Sequence, residues 1–247
     1  MFLDLFSRQS STYAASRPSY PDALYQFLVS LVPGRRLAWD CATGNGQAAR
    51  DLARYFDRVI ATDASPEQIS NAVPAPNVEY RVAPAEASGL SPQSIDLVTV
   101  AQALHWLDHD RFYAEVRRIT VPRGVVAAWC YGACHVGSDV EELLREFQEE
   151  TVGPFWNSGR RWVDEGYRTI PFPFDEVAAP TFELRLRWSL SQLREYISSW
   201  SAVAAYRRER GQDPVAPLSE RIAKFWGPSD SSREVTWPLG LRVGRIG

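Results

Sequence analysis

The sequence predicts an α/β fold with an open, mostly parallel sheet, and three observations carry that reading. The first 130 residues hold five short strand-like segments, most of them separated by helical ones. One of them, residues 95–101, is apolar almost throughout, as a strand covered on both faces should be. A Gly-x-Gly loop follows the first strand directly, and open parallel sheets bind ligands beyond the carboxyl ends of their strands.

The elements follow in order. Residues 21–31 read as a helix, with Pro21 in the first turn and Pro33-Gly34 as the stop. Residues 36–40 are the first strand, and 47–55 a helix that starts in the glycine loop. Residues 58–63 are a second buried strand. Ser65-Pro66-Glu67 then opens a helix, with serine as cap and proline just inside. Strands at 78–82 and 95–101, a helix at 110–120, a turn at Pro122-Arg123-Gly124 and a strand at 125–129 complete the first half.

The second half has a different texture. Residues 139–152 form an amphipathic helix, and 153–180 an irregular lobe rich in Pro, Gly, Trp and Phe. Residues 181–188 alternate as a strand, through Phe182, Leu184, Leu186 and Trp188. One long helix is expected at 191–210 and another at 218–226. Val235, Trp237, Leu239, Leu241 and Val243 then alternate as a final strand, where Pro238 marks an edge or a break.

The chain has 247 residues, 45% hydrophobic and 23% charged, enough for one full domain. It divides into an N-terminal cap (1–35), a core (36–131), and a C-terminal lobe with the last strands (132–247). A net charge of −3 gives no general basic surface for nucleic acid. No apolar run approaches the ~20 residues that span a bilayer, so no membrane partner is expected. Residues 1–16 lack a charged segment followed by an apolar core, so no signal peptide is expected. Cys41, Cys130 and Cys134 are too few and too unevenly spaced for a disulfide framework, and a cytoplasmic location is the default. Lys224 is the single lysine, and neither a phosphate-loop motif nor a Gly-x-Ser-x-Gly elbow is present. ATP hydrolysis by such a loop and hydrolase-type nucleophilic catalysis are therefore set aside.

The chemistry concentrates at strand ends. Asp40 precedes the loop Thr43-Gly44-Asn45-Gly46. An ionised carboxylate there repels a phosphate and suits a cation such as S-adenosylmethionine, with its ammonium and sulfonium. It also fits a plain turn or helix cap. Gly44 and Gly46 allow close backbone approach to a ligand. Against this stands a formal match of residues 44–49 to the dinucleotide fingerprint Gly-x-Gly-x-x-Gly/Ala. Asp63 ends the second strand, where an acid accepts hydrogen bonds from ribose hydroxyls of either cofactor. His105 and His109, with Asp108 and Asp110 beside them, have spacing that a metal could use, but no second ligand cluster accompanies them. The alternative makes Asp108 a helix cap and points His105 and Trp106 into the site. His105, with an ordinary pKa near neutrality, is then a candidate general base or substrate-orienting donor, or else a structural histidine. Cys130-x-x-x-Cys134-His135 lacks a partner pair and reads as buried thiols. Most of the nine tryptophans are expected in the core or the lobe, with a few of them, and Tyr13, Tyr20 and Tyr131, available to line an aromatic substrate pocket.

Residues 40–47 resemble motif I of the class I S-adenosylmethionine-dependent methyltransferases, and the chain as a whole resembles their type 11 group, which includes trans-aconitate methyltransferase-like proteins. Ala61-Thr62-Asp63-Ala64-Ser65 is similar to that group's ribose-binding strand end. Ala83-Pro84-Ala85-Glu86 is similar to its adenine-side loop, and residues 101–106 to the segment after its fourth strand. Pro122-Arg123-Gly124 stands for its usual Pro-Gly-Gly turn. Further similarity runs through residues 13–21, 161–164 and 237–239. The resemblance implies a Rossmann-like sheet of seven strands with helices on both faces, the last strand antiparallel, and helical additions over the site. It implies that S-adenosylmethionine contacts Asp40, Ala42, Gly44, Gly46 and Gln47 in the loop. It adds Asp63 and Ala64, then Ala85 and Glu86, then Ala101 and Gln102, with Tyr20 from the N-terminal segment, which would close the cleft. The acceptor, a small molecule methylated on a carboxylate or hydroxyl oxygen, would meet Tyr13, His105, Trp106, Tyr131 and Trp162. Two positions depart from the family pattern. Ala42 stands at the first glycine of the loop, where a left-handed backbone costs more. Pro84 stands where many relatives carry an aspartate to the adenine amino group. A nicotinamide-dependent oxidoreductase and a non-catalytic adenosyl-binding protein are the alternatives.

Overall fold

The computed structural model describes residues 19–228 and 230–247. Tyr13 lies outside them. Five strands run parallel: β1 (Leu37–Cys41), β2 (Arg58–Asp63), β3 (Val78–Val82), β4 (Ile95–Ala101) and β5 (Thr120–Tyr131). Three more follow: β6 (Asp175–Glu176), β7 (Glu183–Ser189) and β8 (Ser232–Arg245). The order is β3-β2-β1-β4-β5-β8-β6, with β8 antiparallel to β5, β6 and β7. This is the expected Rossmann-like sheet with its antiparallel last strand, enlarged to eight strands by the two-residue β6.

Period-two burial builds both faces. Trp39, Val98, Val100 and Val126 face one core cluster with Phe112, Val116 and Ile119 of helix α4 (His109–Ile119). Ala38, Leu97, Val125, Ala127 and Trp129 face the other, against Leu24, Tyr25 and Leu28 of α1 (Asp22–Leu31) and Leu52 of α2 (Gln47–Leu52). The short α3 (Pro66–Ser70) is capped by Ser65, whose hydroxyl accepts from the Gln68 N–H.

The lobe has its own core. It is built from α5 (Ser138–Glu146), α7 (Leu190–Ser198), α8 (Ser201–Arg210) and α9 (Val215–Trp226), while α6 (Arg160–Asp164) packs through Val163 on the first sheet cluster. Trp188, Tyr196 and Trp237 pack with ring centroids 4.9–5.4 Å apart, and the Trp237 indole N–H donates to the Tyr196 hydroxyl at 3.1 Å.

Three local expectations change. The helix expected at 191–210 is two helices. Trp200 takes an extended backbone between them and buries its ring against Tyr196, Trp156 and Phe147. Helix α5 gives way at Phe147–Thr151 to a wider π-type turn. Pro238 does not break the final strand but lies inside fourteen continuous residues, at the point where the strand changes partners. Ser232 to Pro238 pair with β7, and Leu239 onward with β5. A residue without an N–H fits that crossing.

Candidate active site

The glycine loop leaves the carboxyl end of β1 and is tied down on every side. The Thr43 N–H donates to the Thr62 carbonyl at 2.9 Å, the Gly44 N–H to Asp63 Oδ2 at 2.9 Å, and the Gly46 N–H to the Thr43 carbonyl at 3.0 Å. Each of these three loop amides already has an acceptor within the protein. The segment from Cys41 to Gln47 contains no basic residue, and carboxylates stand at Asp40 and Asp63. The residues present therefore fit a cationic, phosphate-free adenosyl ligand and do not fit a dinucleotide phosphate.

Asp40 departs from the expected role of a cleft-facing anchor. It is 1% exposed, and its Oδ2 accepts from the Thr43 hydroxyl at 2.5 Å and its Oδ1 from the Thr99 hydroxyl at 2.7 Å. Burial pushes its pKa up to about 6, against the two threonine hydroxyls and the Ala49 N–H, which favour the charged form. It braces the loop from beneath. Asp63 is only partly buried and joins the loop to the α3 start, its Oδ1 accepting from the Ser65 N–H at 2.9 Å.

The glycines also divide their work. Gly46 has φ +84°, and a Cβ there would collide with the Tyr80 phenol, so its bare face is filled by protein rather than by ligand. Gly44, at φ +57°, has only the Gln68 amide oxygen within 4 Å of a would-be Cβ among the described residues. Ala42 takes φ +54°, the left-handed conformation that the family's glycine would adopt without strain. Gln47 starts α2 beside Gly46, and Ala64 sits half-buried after Asp63. Ala85 is buried against the first core cluster, with Glu86 partly exposed next to it. Their loop is fixed by Glu115 of α4, whose Oε1 accepts from both the N–H and the hydroxyl of Ser88, at 2.9 and 2.5 Å. Arg118 donates to the same carboxylate twice at 2.7 Å, and these partners hold the Glu115 pKa down at about 2.

Beyond β4 and β5 an open cleft of about 560 Å³ separates the sheet from the lobe. Gln102, His105, Trp106 and Tyr131 line its sheet side. Trp156, Arg160, Tyr196 and Trp200 line its lobe side. Ala101 ends β4, and Tyr20 lies edge-on to Trp129, with its centroid 6.4 Å from that of Tyr131. Trp106 is 37% exposed at the mouth.

Two expectations are corrected here. Trp162 is not in the cleft wall; it packs edge-on against His109, 5.3 Å between centroids. One turn of α6 turns Arg160 and Val163 to the cleft, so Arg161 and Trp162 between them face elsewhere. His105 does not titrate near neutrality. Burial, with the nearby positive charge of Arg160 and His109, pushes its pKa down to about 3, so the imidazole is neutral and a weak base. Its Nδ1 lies 2.8 Å from the Tyr167 hydroxyl. His109 turns away and bonds the Leu104 carbonyl at 3.0 Å through Nε2, while Asp108 caps α4. Among the described residues, no group of three His, Cys, Asp or Glu is placed to hold a metal.

Sequence reasoning passes over Arg160, and leaves Trp156 and Trp200 among tryptophans of which most pack and a few line a pocket. One signal for Arg160 is legible: an arginine four residues before Asp164, in a lobe otherwise dominated by aromatic residues. The arginine uses that acid, with Nε donating to Asp164 Oδ1 at 2.7 Å, and its guanidinium lies 4.3 Å from the Trp156 ring centroid.

Comparison with known proteins agrees with this geometry. The family profile described as a methyltransferase domain matches residues 39–128. A methyltransferase-family protein of Dictyostelium discoideum is 34% identical across 99% of this chain and 95% of its own. CRG1 of Saccharomyces cerevisiae, described as an S-adenosylmethionine-dependent methyltransferase, is 26% identical across 83% of each chain. A solved structure from Anaeromyxobacter dehalogenans, described as a type II methyltransferase, superposes with a TM-score of 0.87 at 43% identity, covering 93% of this chain and 98% of that one. No helix among the described residues is long and apolar enough to cross a membrane. With a relative 34% identical over nearly the whole chain, the nicotinamide reading falls away: the chain belongs to the class I S-adenosylmethionine-dependent methyltransferases.

Proposed function

We propose that this methyltransferase acts on an oxygen atom, carboxylate or hydroxyl, of a small molecule with a flat apolar body. The single observation that carries the reading is the aromatic cleft at the ends of β4 and β5. It is a walled cleft rather than an open surface for a macromolecule. Trp106, Tyr131, Trp156 and Trp200 give its lining the aromatic surface that suits a planar or aliphatic body.

Bound S-adenosylmethionine supplies a methyl group on a sulfonium. Gly44 and Ala42 carry the loop surface it would rest on, and Asp63 stands at the end of β2, where an acid accepts from ribose hydroxyls. Ala85 and Glu86 flank the adenine position, since Pro84 offers no side-chain acceptor. The protein's part is to place the acceptor in line with the transferable methyl and to exclude water.

The test is calorimetry with S-adenosylmethionine, S-adenosylhomocysteine and NAD, followed by transfer assays on a panel of small acids, alcohols, phenols and amines. The reading expects adenosyl binding, no NAD binding, and methyl esters or ethers as products. Transfer to amines alone would remove it, and adenosyl binding without transfer to any acceptor would favour a non-catalytic role.

A further inference from the structure

We propose that the open edge of β3 is a self-pairing surface, where a second copy of this chain lays its own β3 antiparallel about a twofold axis between the two copies of Tyr80. β3 ends the sheet and, among the described residues, pairs only with β2. The parallel ladder to β2 uses alternate residues. The Asn77 carbonyl accepts from the Val59 N–H at 2.9 Å, and the Ala83 N–H donates to the Asp63 carbonyl at 3.0 Å. Val78, Tyr80 and Val82 therefore turn their backbone groups to the open edge. Val78 donates its N–H to the Ala75 carbonyl at 3.1 Å. The edge keeps the N–H and carbonyl of Tyr80, those of Val82, and the Val78 carbonyl.

The strand Val78-Glu79-Tyr80-Arg81-Val82 complements itself when reversed. About Tyr80, valine meets valine at both ends and Glu79 meets Arg81. The two copies of Tyr80 exchange N–H···O bonds, and each Val82 N–H reaches the Val78 carbonyl of the other copy. Glu79 and Arg81 fall at the non-hydrogen-bonded positions of that ladder, where side chains on opposite strands lie closest. Within the chain, Arg81 Nε donates to Glu79 Oε1 at 2.6 Å, and Arg58 of β2 pairs with the same carboxylate. Across the axis, the two copies of Glu79 and Arg81 close a ring of alternating charge. On the other face, Val78 and Tyr80 pack toward the core cluster that holds Ala38 and Leu97, but Val82 is 53% exposed. Val73, whose carbonyl accepts from the Tyr80 hydroxyl at 2.9 Å, is 50% exposed. Pairing covers Val82 with Val78 of the second copy.

The other edges of the sheet lack this complementarity. β6 is two acidic residues, Asp175 and Glu176, and would set acid against acid. In β7, a twofold axis centred on Arg185, Leu186 or Arg187 sets arginine against arginine, the repulsion that keeps edges apart. Pro76 and Pro84 bracket β3 with no N–H to offer, so the paired length is set at five residues. A contact this short makes a weak, reversible dimer. Because the joined strands run in opposite directions, the carboxyl ends of the two sheets face opposite ways, and each cleft opens away from the other.

Sedimentation velocity on the full chain, from roughly 2 to 300 µM, reads the association. Wild type is expected to pass from monomer to dimer mass across that range. Arg81→Glu sets glutamate against glutamate twice in one dimer, and Glu79→Arg sets arginine against arginine twice, so each variant alone should associate at least about tenfold more weakly. Mixed in equal amounts, the two should pair with each other, because every glutamate then faces an arginine. A general loss of stability would not restore dimer mass in that mixture. Val82→Pro removes an edge donor and leaves the bonds to β2 in place, so it should abolish the dimer without any change of charge. Thermal melting and S-adenosylhomocysteine binding check that each variant is folded. Hydrogen exchange at the Tyr80 and Val82 amides should slow as the wild-type concentration rises. A wild-type chain that stays monomeric throughout, a dimer that survives Val82→Pro, or a mixture of folded charge variants that stays monomeric overturns the proposal.

Discussion

The side chain of Gln102 pairs with the backbone of Tyr131 as a neighbouring strand would: Nε2 donates to the Tyr131 carbonyl at 2.8 Å, and the Tyr131 N–H donates to Oε1 at 2.9 Å. The Gln102 N–H also reaches the Trp129 carbonyl at 2.8 Å, so the β4–β5 ladder continues one step into the cleft wall. Gln102 holds φ +58° to do this. Gln102→Ala removes both side-chain bonds and should cost about 1–3 kcal/mol in urea unfolding. Because Tyr131 lines the cleft, KM for the acceptor should rise as well. Gln102→Asn tolerates the left-handed backbone better but is one methylene short. It should therefore be destabilised too; wild-type stability in that variant would mean that strain, not the clamp, governs the position.

Ala42 and Arg123 form a second pair, at opposite ends of the sheet. Both stand where the family carries glycine, and both keep a left-handed backbone, at φ +54° and +62°. Such a conformation costs a non-glycine residue roughly 1–2 kcal/mol. Glycine returns part of that gain through the entropy of the unfolded chain, roughly 0.5–1 kcal/mol. Ala42→Gly and Arg123→Gly should each raise the urea midpoint modestly, by up to about 1 kcal/mol, and the two effects should add. Only Ala42→Gly should also change S-adenosylhomocysteine affinity. A loss of stability in both variants would show that the positions are not strained.

The contrast between the two halves of the chain explains what the sequence can disclose. The ends of β1, β2 and β4 are legible because each strand is a continuous buried run, mostly apolar, and the residues at or just past their ends, such as Gly44, Asp63 and Gln102, are local in sequence to the motif that marks them. The lobe is not legible in this way. The break at Trp200 carries no Gly or Pro; it arises because an indole is buried among Tyr196, Trp156 and Phe147, which come from other elements. The low basicity of His105 likewise depends on Arg160, 55 positions further on, and on burial beneath the lobe. Arg160 faces the cleft through the packing of a five-residue helix, too short to show a period.

Glu115 links stability to the cofactor side. It fastens the loop that carries Ala85 and Glu86 through Ser88, and its charge is satisfied by Arg118. A carboxylate whose folded pKa is depressed contributes stability that is present above its unfolded pKa and lost as pH falls through the folded value. For Glu115 that window runs from about pH 4.3 down to about 2. Glu115→Gln should lower stability near neutral pH by about 1.5–3 kcal/mol and weaken S-adenosylhomocysteine binding by loosening the loop. Differential melting with and without the ligand reads both effects. Unchanged affinity in a destabilised variant would separate this loop from the cofactor.

Asp40 has the opposite sign. Its folded pKa is raised to about 6, above an unfolded value near 4, so its contribution is fully present below pH 4 and is lost as pH rises through 6. The loss amounts to roughly 2–3 kcal/mol, because an ion is held where water cannot reach it. Asp40→Asn keeps an acceptor oxygen for one threonine and offers an amide N–H to the other. The stability of wild type minus that of the variant should therefore fall between about pH 4 and 6.5 and then level off. A difference that stays constant across that range would place the Asp40 pKa at its ordinary value. The same variant separates charge from shape in cofactor binding. S-adenosylmethionine carries the sulfonium and S-adenosylhomocysteine does not, so a charge acting from beneath the loop should make the variant lose more affinity for the first than for the second. Equal losses for both would mean that Asp40 serves the site only through Thr43 and the path of the loop.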